Sequence, residues 1–526
     1  MELRPQDMQV LQNLSPAAAR CFGEGRPDLA LRELDQAAGL SVLPPVTLLL
    51  LKVQLHLCMG HPEEAAVEYV KYGFRAVDCG LFDLGLEAIS SGLAVDVCNG
   101  YDRLLHDPAA LIAACVRYEA VAATLHPPDA AAAPPRPDGR IRLGMIVPAL
   151  VDHTVAFSNR VLFFARYLDP SRFDLRVYIT ENASSTAQRL PLKIGGPPTV
   201  QRAPKYLAEL RERGIPVFIA SSSTTIRVRA AEVAGRIAAD DVDALILQAG
   251  PTMAVDWFAA RLAPCPVKLQ IHIGLSAYQR GIDATLFDNA VNMEREAVTW
   301  PAWAGRQMLM RRGTDLDALD AQLPMPRAML GFPEDAVLIG LLSNHLATRL
   351  SPAYLTIIGD VLQAVPNAWF VPIGARQLPE RAWEPFRRRG VADRMRPVDP
   401  VCRAGTLLKM LDVYANEFPA GGSQSVIEAM ACGLPIAAMR AGNTHHESVG
   451  ADIVGAPYAI EANDPAAYRA RLETWARGPA ARRTAGRAMR QRAEREFSVK
   501  DYVCRVGELA AALLQARRSA ACHSAA

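Results

Sequence analysis

The feature that most constrains the fold is a change of grammar near residue 140. From there, short β-rich runs alternate with helix-length segments: IRLGMIVPA, FDLRVYIT, IPVFIAS, VDALILQAG and VKLQIHIG. This strand–helix alternation predicts a doubly wound parallel sheet. A second set begins after about residue 330, with AVLIGLLSN, AWFVPIGA, MRPVDP, DVYANEF and LPIAAM as strand candidates. Helices are expected between them over 352–365, 379–389, 402–411 and 424–432, and Arg- and Ala-rich helices over 464–518 close the chain. The predicted class is α/β, with two Rossmann-like lobes at 140–325 and 326–526.

The region ahead of the lobes reads differently. Residues 1–125 lack strand-like alternation and are rich in Ala and Leu at helical spacing, which predicts an all-α domain. Within it, GRPDLALRELDQA resembles GHPEEAAVEYVKYG, so that Gly25, Pro27 and Ala30 correspond to Gly60, Pro62 and Ala65, 35 residues further on. That offset is near the tetratricopeptide period of about 34 residues, in which a turn Gly precedes a helix and a small residue permits close packing. An irregular helical bundle explains two copies equally well. A Pro/Ala linker, HPPDAAAAPPRPDG at 126–139, separates this domain from the first lobe.

Composition excludes several classes. Half of the 526 residues are apolar and 21% are charged, so the chain can bury large cores and is not disordered. A formal charge of +2, without a long basic run, argues against nucleic-acid or membrane binding. The start, MELRPQDMQVLQNL, has no secretory pattern, and the most apolar run, Val46 to Leu51, stops at Lys52, far short of the roughly 20 residues of a membrane span. The ten cysteines form no C-x-x-C pair, which argues against a zinc ribbon or redox motif. A reducing, cytoplasmic setting is the expectation.

The chemistry concentrates in EFPAGGSQSVIEAMACGLP, 417–435. A strand over 412–418 is expected to end at Pro419, Gly421 and Gly422 to allow a tight approach, and a helix to begin near Ser423. Ligands of parallel α/β sheets sit beyond the carboxyl ends of strands, where helix N-termini offer N–H groups to anions. Ser423, Gln424 and Ser425 are therefore candidates to bind a diphosphate. Glu428 lies on the same helix face one turn deeper, where a carboxylate can accept from ribose hydroxyls. An ordinary strand–turn–helix with a Ser/Gln cap is the bland alternative.

DVYANEFPAGGSQSVIEAMACGLPIAAM resembles, in length and register, the signature of glycosyltransferase family 41. These are the O-linked N-acetylglucosamine transferases and their bacterial relatives, to which the cytoplasmic protein N-glucosyltransferases are similar. Three further stretches align without gaps: residues 141–179, 245–274 and 343–374. The resemblance covers about 140–515. It implies the GT-B fold, two Rossmann-like lobes facing each other across a cleft, and an inverting, metal-independent transfer of a hexose or N-acetylhexosamine from a UDP-sugar to a Ser/Thr or Asn side chain. It puts Gln424 and Ser425 on diphosphate-binding positions and Glu428 on the ribose-binding one. Arg349 stands where the family usually has a diphosphate-binding Lys, and a guanidinium keeps that charge. His345 is expected to reach the diphosphate from the same loop. His153, after the first strand, falls on an active-site His and is the candidate catalytic residue.

Departures from the pattern are informative. The first-lobe loop, VPALVDH, lacks the usual Asp, and Arg403-Ala404 occupies the region where a His often flanks the uracil. EAMACGLP also resembles glycosyltransferase family 4, whose second Glu, eight residues earlier, is Ala420 here, although Glu417 lies close by. In the loop IHIGLSAYQRGID, Gly274, Ser276 and Asp283 resemble a turn lining the cleft, whereas Tyr278 and Arg280 read as an exposed tip. His445 and His446 suggest a donor contact or a surface loop. No Asp-x-Asp ends a strand to hold a divalent ion, so no metal or other cofactor is expected. The partners implied are a nucleotide-sugar donor and a polypeptide recruited by the helical domain. Alternatives are a glycan, lipid-linked or small-molecule acceptor, with the helical domain serving homo-oligomerisation, and a degenerate scaffold, suggested by Ala404 and Ala420.

Overall fold

The computed structural model describes residues 3, 5–38, 44–99, 108–125, 138–150, 155–180, 204–221, 225–248, 250, 252–273, 278–343, 346–399, 404–419, 421–440 and 449–525. The chain forms two compact units. One comprises Met1–Val151, Pro170–Thr285 and Ala510–Ala526, and the other Asp152–Asp169 and Leu286–Leu509.

In the first unit the two matched segments take the same form. Gly25 and Gly60 have φ of 74° and 78°, the left-handed conformation that ends one helix and aims the next. Each is followed by a helix beginning at proline, Pro27–Ala38 and Pro62–Asp78, and Ala30 and Ala65 are fully buried. Helices Pro62–Asp78 and Phe82–Asn99 touch at Gly73 and Gly85, where a Cβ on either would lie 2.8 Å from the other's carbonyl oxygen.

This helical part is packed onto the first sheet's helices. The Tyr118 ring meets Trp257 and Phe258 at centroid distances of 5.3 and 5.5 Å, and all three are completely buried. Around them Glu119 accepts from Arg261 Nε at 3.0 Å and from the Arg280 N–H at 2.6 Å. Arg227 holds Asp83 through two bonds, at 3.0 and 2.8 Å.

The first unit's strands are β1 (Ile141–Val147), β2 (Phe173–Ile179), β3 (Val217–Ile219), β4 (Ala244–Leu247) and β5 (Val267–Ile271). They pair in parallel in the order β3-β2-β1-β4-β5. All five coincide with runs predicted from the sequence. Two short strands that follow in the chain, β6 (Ala284–Phe287) and β7 (Gln307–Leu309), were not signalled.

The second unit carries β8 (Val337–Leu342), β9 (Ala368–Ile373), β10 (Val413–Ala415), β11 (Ile436–Met439) and β12 (Ala459–Ile460), parallel in the order β12-β11-β10-β8-β9. MRPVDP is not a strand. It makes only single bridges, Met395 to Phe370 and Val398 to Ile373, because Pro397 and Pro400 have no N–H for a ladder. β10 is also shorter than expected: Glu417 and Phe418 already belong to the turn. Helices Pro465–Arg477, Pro479–Glu496 and Val499–Ala525 follow. Among the described residues no helix is long and apolar enough to cross a membrane.

Both sheets reverse direction once. In the second, the chain passes from β8 to β9 on one side and returns to β10 on the other. The loops after β8 and β10 therefore diverge from a topological switch point, where open α/β sheets form their crevice. In the first, the same reversal falls between β1 and β4.

Candidate functional site

The loop after β10 is held from beneath by hydroxyl groups. Tyr354 donates to the Ala415 carbonyl and Tyr468 to that of Asn416, both at 2.9 Å, while Ser351 donates to the Phe418 carbonyl at 2.7 Å. Burial pushes the two phenols well above their ordinary pKa, so they remain donors. Rings of Tyr354, Phe418 and Tyr468 pack edge to face at 5.1–6.4 Å. The turn is thus built on a rigid aromatic floor.

Above that floor the backbone is close-fitting. A Cβ on Gly421 would lie 2.5 Å from the Glu417 carbonyl oxygen, and one on Gly422 would lie 2.3 Å from Ser425 Oγ and 3.7 Å from Arg349 Nη1. The glycines are a spatial requirement, as the sequence suggested. The helix Gln424–Ala431 then starts with Ser423 as N-cap residue, without a side-chain cap bond, so the N–H groups of its first turn have no partner within the helix.

The candidate side chains divide into two groups. Ser423 Oγ accepts from Arg312 Nη2 in a short contact, and Gln424 Nε2 donates to Glu428 Oε1 at 3.3 Å. Burial pushes the Glu428 carboxyl up to about 7, against the lowering effects of Gln424 and Arg312. Ser425 faces inward: its hydroxyl accepts from Tyr414 at 2.9 Å. Arg349 reaches the same loop, with Nη1 3.6 Å from Oε1 of the fully buried Glu417. Glu417 is therefore the arginine's counter-ion. His153, His345, Gly274, Ser276, Arg403, Ala420, His445 and His446 lie outside the described residues.

Sequence reasoning missed Arg160 and Arg312. One small cavity is lined by Asn159, Arg160, Phe163, Arg312, Gly313 and Gln424 among others. Arg312 Nε lies 2.8 Å from Asp288 Oδ2, and Asp288 Oδ1 accepts from Asn289 Nδ2 at 2.7 Å. Arg160, on the helix Val155–Tyr167, is only 5% exposed. Burial, reinforced by the charge of Arg312 and opposed by Tyr502 and Asp288, lowers its pKa to about 10, so it stays a cation at neutral pH. The available signal was a charged residue inside the apolar run VAFSNRVLFF, and the Arg-Arg-Gly that follows β7.

In the first unit, Thr180 at the end of β2 donates to Asp256 Oδ2 at 2.8 Å. Asp256 is fully buried, and desolvation raises its carboxyl to about 7 despite Thr180 and Arg229. Asp283 accepts from the Lys268 N–H at 2.8 Å and from Arg517. It thus ties the edge of β5 to the closing helix.

No family model and no curated protein sequence matches the chain. Solved structures do. A variant of the O-GlcNAc transferase of Thermobaculum terrenum superposes over 100% of both chains with a TM-score of 0.58 and 17% identity. A glycosyltransferase from Rickettsia africae covers 71% of this chain and 99% of its own at a TM-score of 0.53 and 14% identity. Anabaena HepE in complex with UDP and glucose covers 71% of this chain and 100% of its own, with a TM-score of 0.52 and 13% identity. The fold is GT-B.

Proposed function

We propose that the protein is a glycosyltransferase that binds a UDP-sugar at the N-terminus of Gln424–Ala431. The observation that carries the reading is the convergence of two arginines, Arg312 and Arg349, on a Gly421-Gly422 turn at the switch point of a GT-B sheet. Charge and free N–H groups meet there where a diphosphate would need them. HepE, of like fold, holds UDP and glucose, which favours the same class of donor here.

In this reading the hexose or N-acetylhexosamine passes to a Ser, Thr or Asn side chain of a polypeptide, with inversion. The acceptor atom forms a bond to the anomeric carbon as the bond to the β-phosphate oxygen breaks. That oxygen takes the electron pair, and the acceptor's proton leaves to a base. The arginines and the helix N-terminus stabilise the departing diphosphate. Glu428 accepts from the ribose, and His153 contacts acceptor or sugar. The helical segment of the first unit supports a polypeptide acceptor, since stacked helices form grooves suited to extended chains.

The test is a hydrolysis screen of UDP-, GDP- and TDP-sugars, followed by mass spectrometry of proteins co-expressed with the enzyme. UDP-sugar turnover and a hexose-type mass shift on a polypeptide are expected. Turnover without a shift would assign a non-protein acceptor, and no nucleotide binding by the folded chain would sink the enzyme reading.

A further inference from the structure

We infer that Glu417 is a positioning residue: from beneath the turn it holds the Arg349 guanidinium against Gly421-Gly422, where the donor's diphosphate would bind. The inference rests on the proposed donor site and adds to it the group that sets the arginine in place.

Glu417 lies two residues past β10, and its side chain is completely buried. Its Oε1 is 3.6 Å from Arg349 Nη1, and the same nitrogen would lie 3.7 Å from a Cβ on Gly422. Asn416 Nδ2 donates to Glu417 Oε2 and to the Gly422 carbonyl, both at 3.4 Å, so one amide links the carboxylate to the turn. The main chain of Arg349 is tied to the same loop. Its carbonyl accepts from the Ser351 N–H at 2.9 Å, and Ser351 Oγ donates to the Phe418 carbonyl at 2.7 Å. Ser351 is itself fixed as the cap of Pro352–Ala364, accepting from the Tyr354 N–H at 3.2 Å. Both ends of Arg349, main chain and guanidinium, are therefore set by Glu417-Phe418.

Two effects of opposite sign act through this carboxylate. Its charge, placed behind Arg349, weakens the pull of the arginine on an incoming anion. Its place also gives the guanidinium a fixed direction, and a planar fork, unlike the point charge of a lysine, has a direction to be set. A guanidinium carries five N–H donors, so one ion pair does not exhaust it. Orientation is the larger effect here, because a long side chain that must be ordered on binding costs affinity unless it is held beforehand. The burial of both partners, Arg349 with 14% and Glu417 with none of its side chain exposed, keeps the pair from exchanging with water.

The experiment is a calorimetric titration of the full chain with UDP, inorganic pyrophosphate and uridine. It compares the wild type with Glu417→Gln, Glu417→Asp, Arg349→Gln and the double variant Glu417→Gln/Arg349→Gln. Melting curves establish which variants are folded. Glu417→Gln removes the charge with little change of shape and is expected to weaken UDP and pyrophosphate roughly tenfold, with uridine unchanged. Glu417→Asp keeps the charge and should lose only a few-fold; it carries the test if Glu417→Gln does not fold. In the Arg349→Gln background, Glu417→Gln should add less than about twofold, because the residue acts through the arginine. Pyrophosphate bound by the folded Glu417 variants as tightly as by the wild type, or more tightly, would reduce Glu417 to charge compensation and overturn the inference. An equal loss of uridine, or the full loss repeated in the Arg349→Gln background, would overturn it as well. Each of these results leaves the donor-site reading standing. If the wild type binds neither UDP nor pyrophosphate, the donor site itself is wrong.

Discussion

Charge is used differently in the two units. In the first, buried or half-buried acids meet basic partners: Glu119 with Arg261, Asp83 with Arg227, Asp243 with Arg518. One of these pairs, Glu119 with Arg261, adjoins the aromatic cluster of Tyr118, Trp257 and Phe258. In the second, Arg160 and Arg312 line one cavity, where Asp288 pairs with Arg312 and its charge opposes the effect of Arg312 on Arg160. Paired charge in the first unit joins elements, and in the second it also brings Arg312 and Arg349 to the start of one helix.

The contrast can be broken at its strongest point first. Trp257→Ala removes the centre of the first unit's aromatic cluster and should cost about 3–5 kcal/mol of stability in denaturant titration. It should leave UDP affinity unchanged in whatever remains folded. A stability loss below 1 kcal/mol would deny that the helices and sheet layer form one packed body.

Arg312→Ala should have the opposite signature. Turnover of the UDP-sugar is expected to fall on the order of 10²–10³, and some stability will go as well, because Asp288 loses its partner. Unchanged turnover would return Arg312 to the structural class.

Glu428 sharpens the picture through pH. Its carboxyl is raised to about 7 by burial, and only the ionised form can accept two ribose hydroxyls. The protonated form dominates below 7, so affinity for UDP-glucose should rise roughly tenfold between pH 6 and pH 8. Glu428→Gln should flatten that rise. The smallest effect is expected at Asp83→Asn, where breaking a half-exposed pair with Arg227 should cost about 0.5–1 kcal/mol and no activity.

Much of this was legible in the sequence because it depends on local pattern. The five strands β1–β5 and the four strands β8–β11 stand out as apolar runs between helix-length segments, and Gly421-Gly422 announces a close approach. MRPVDP misled because Met395 and Val398 do pair with Phe370 and Ile373, but only as isolated bridges. The strands β6, β7 and β12, two to four residues long, lie in ATLF, QML and AI, which do not stand out as apolar runs between helix-length segments. The cluster at the site was harder for a different reason. Arg160, Asp288, Arg312 and Gln424 are spread over more than 260 residues of chain, and no local spacing brings them together. The buried partner of Arg349 was equally hidden, since Glu417 reads from sequence only as a neighbour of the turn.

The central claim is that a nucleotide sugar sits on the N-terminus of Gln424–Ala431. Hydrogen exchange of the full chain with and without UDP tests it most directly, because the ligand would bond to the amides themselves. Slower exchange over 421–428 on adding UDP is the predicted result. Unchanged exchange there, with protection confined to the first unit around Gln248 and Asp256, would contradict it.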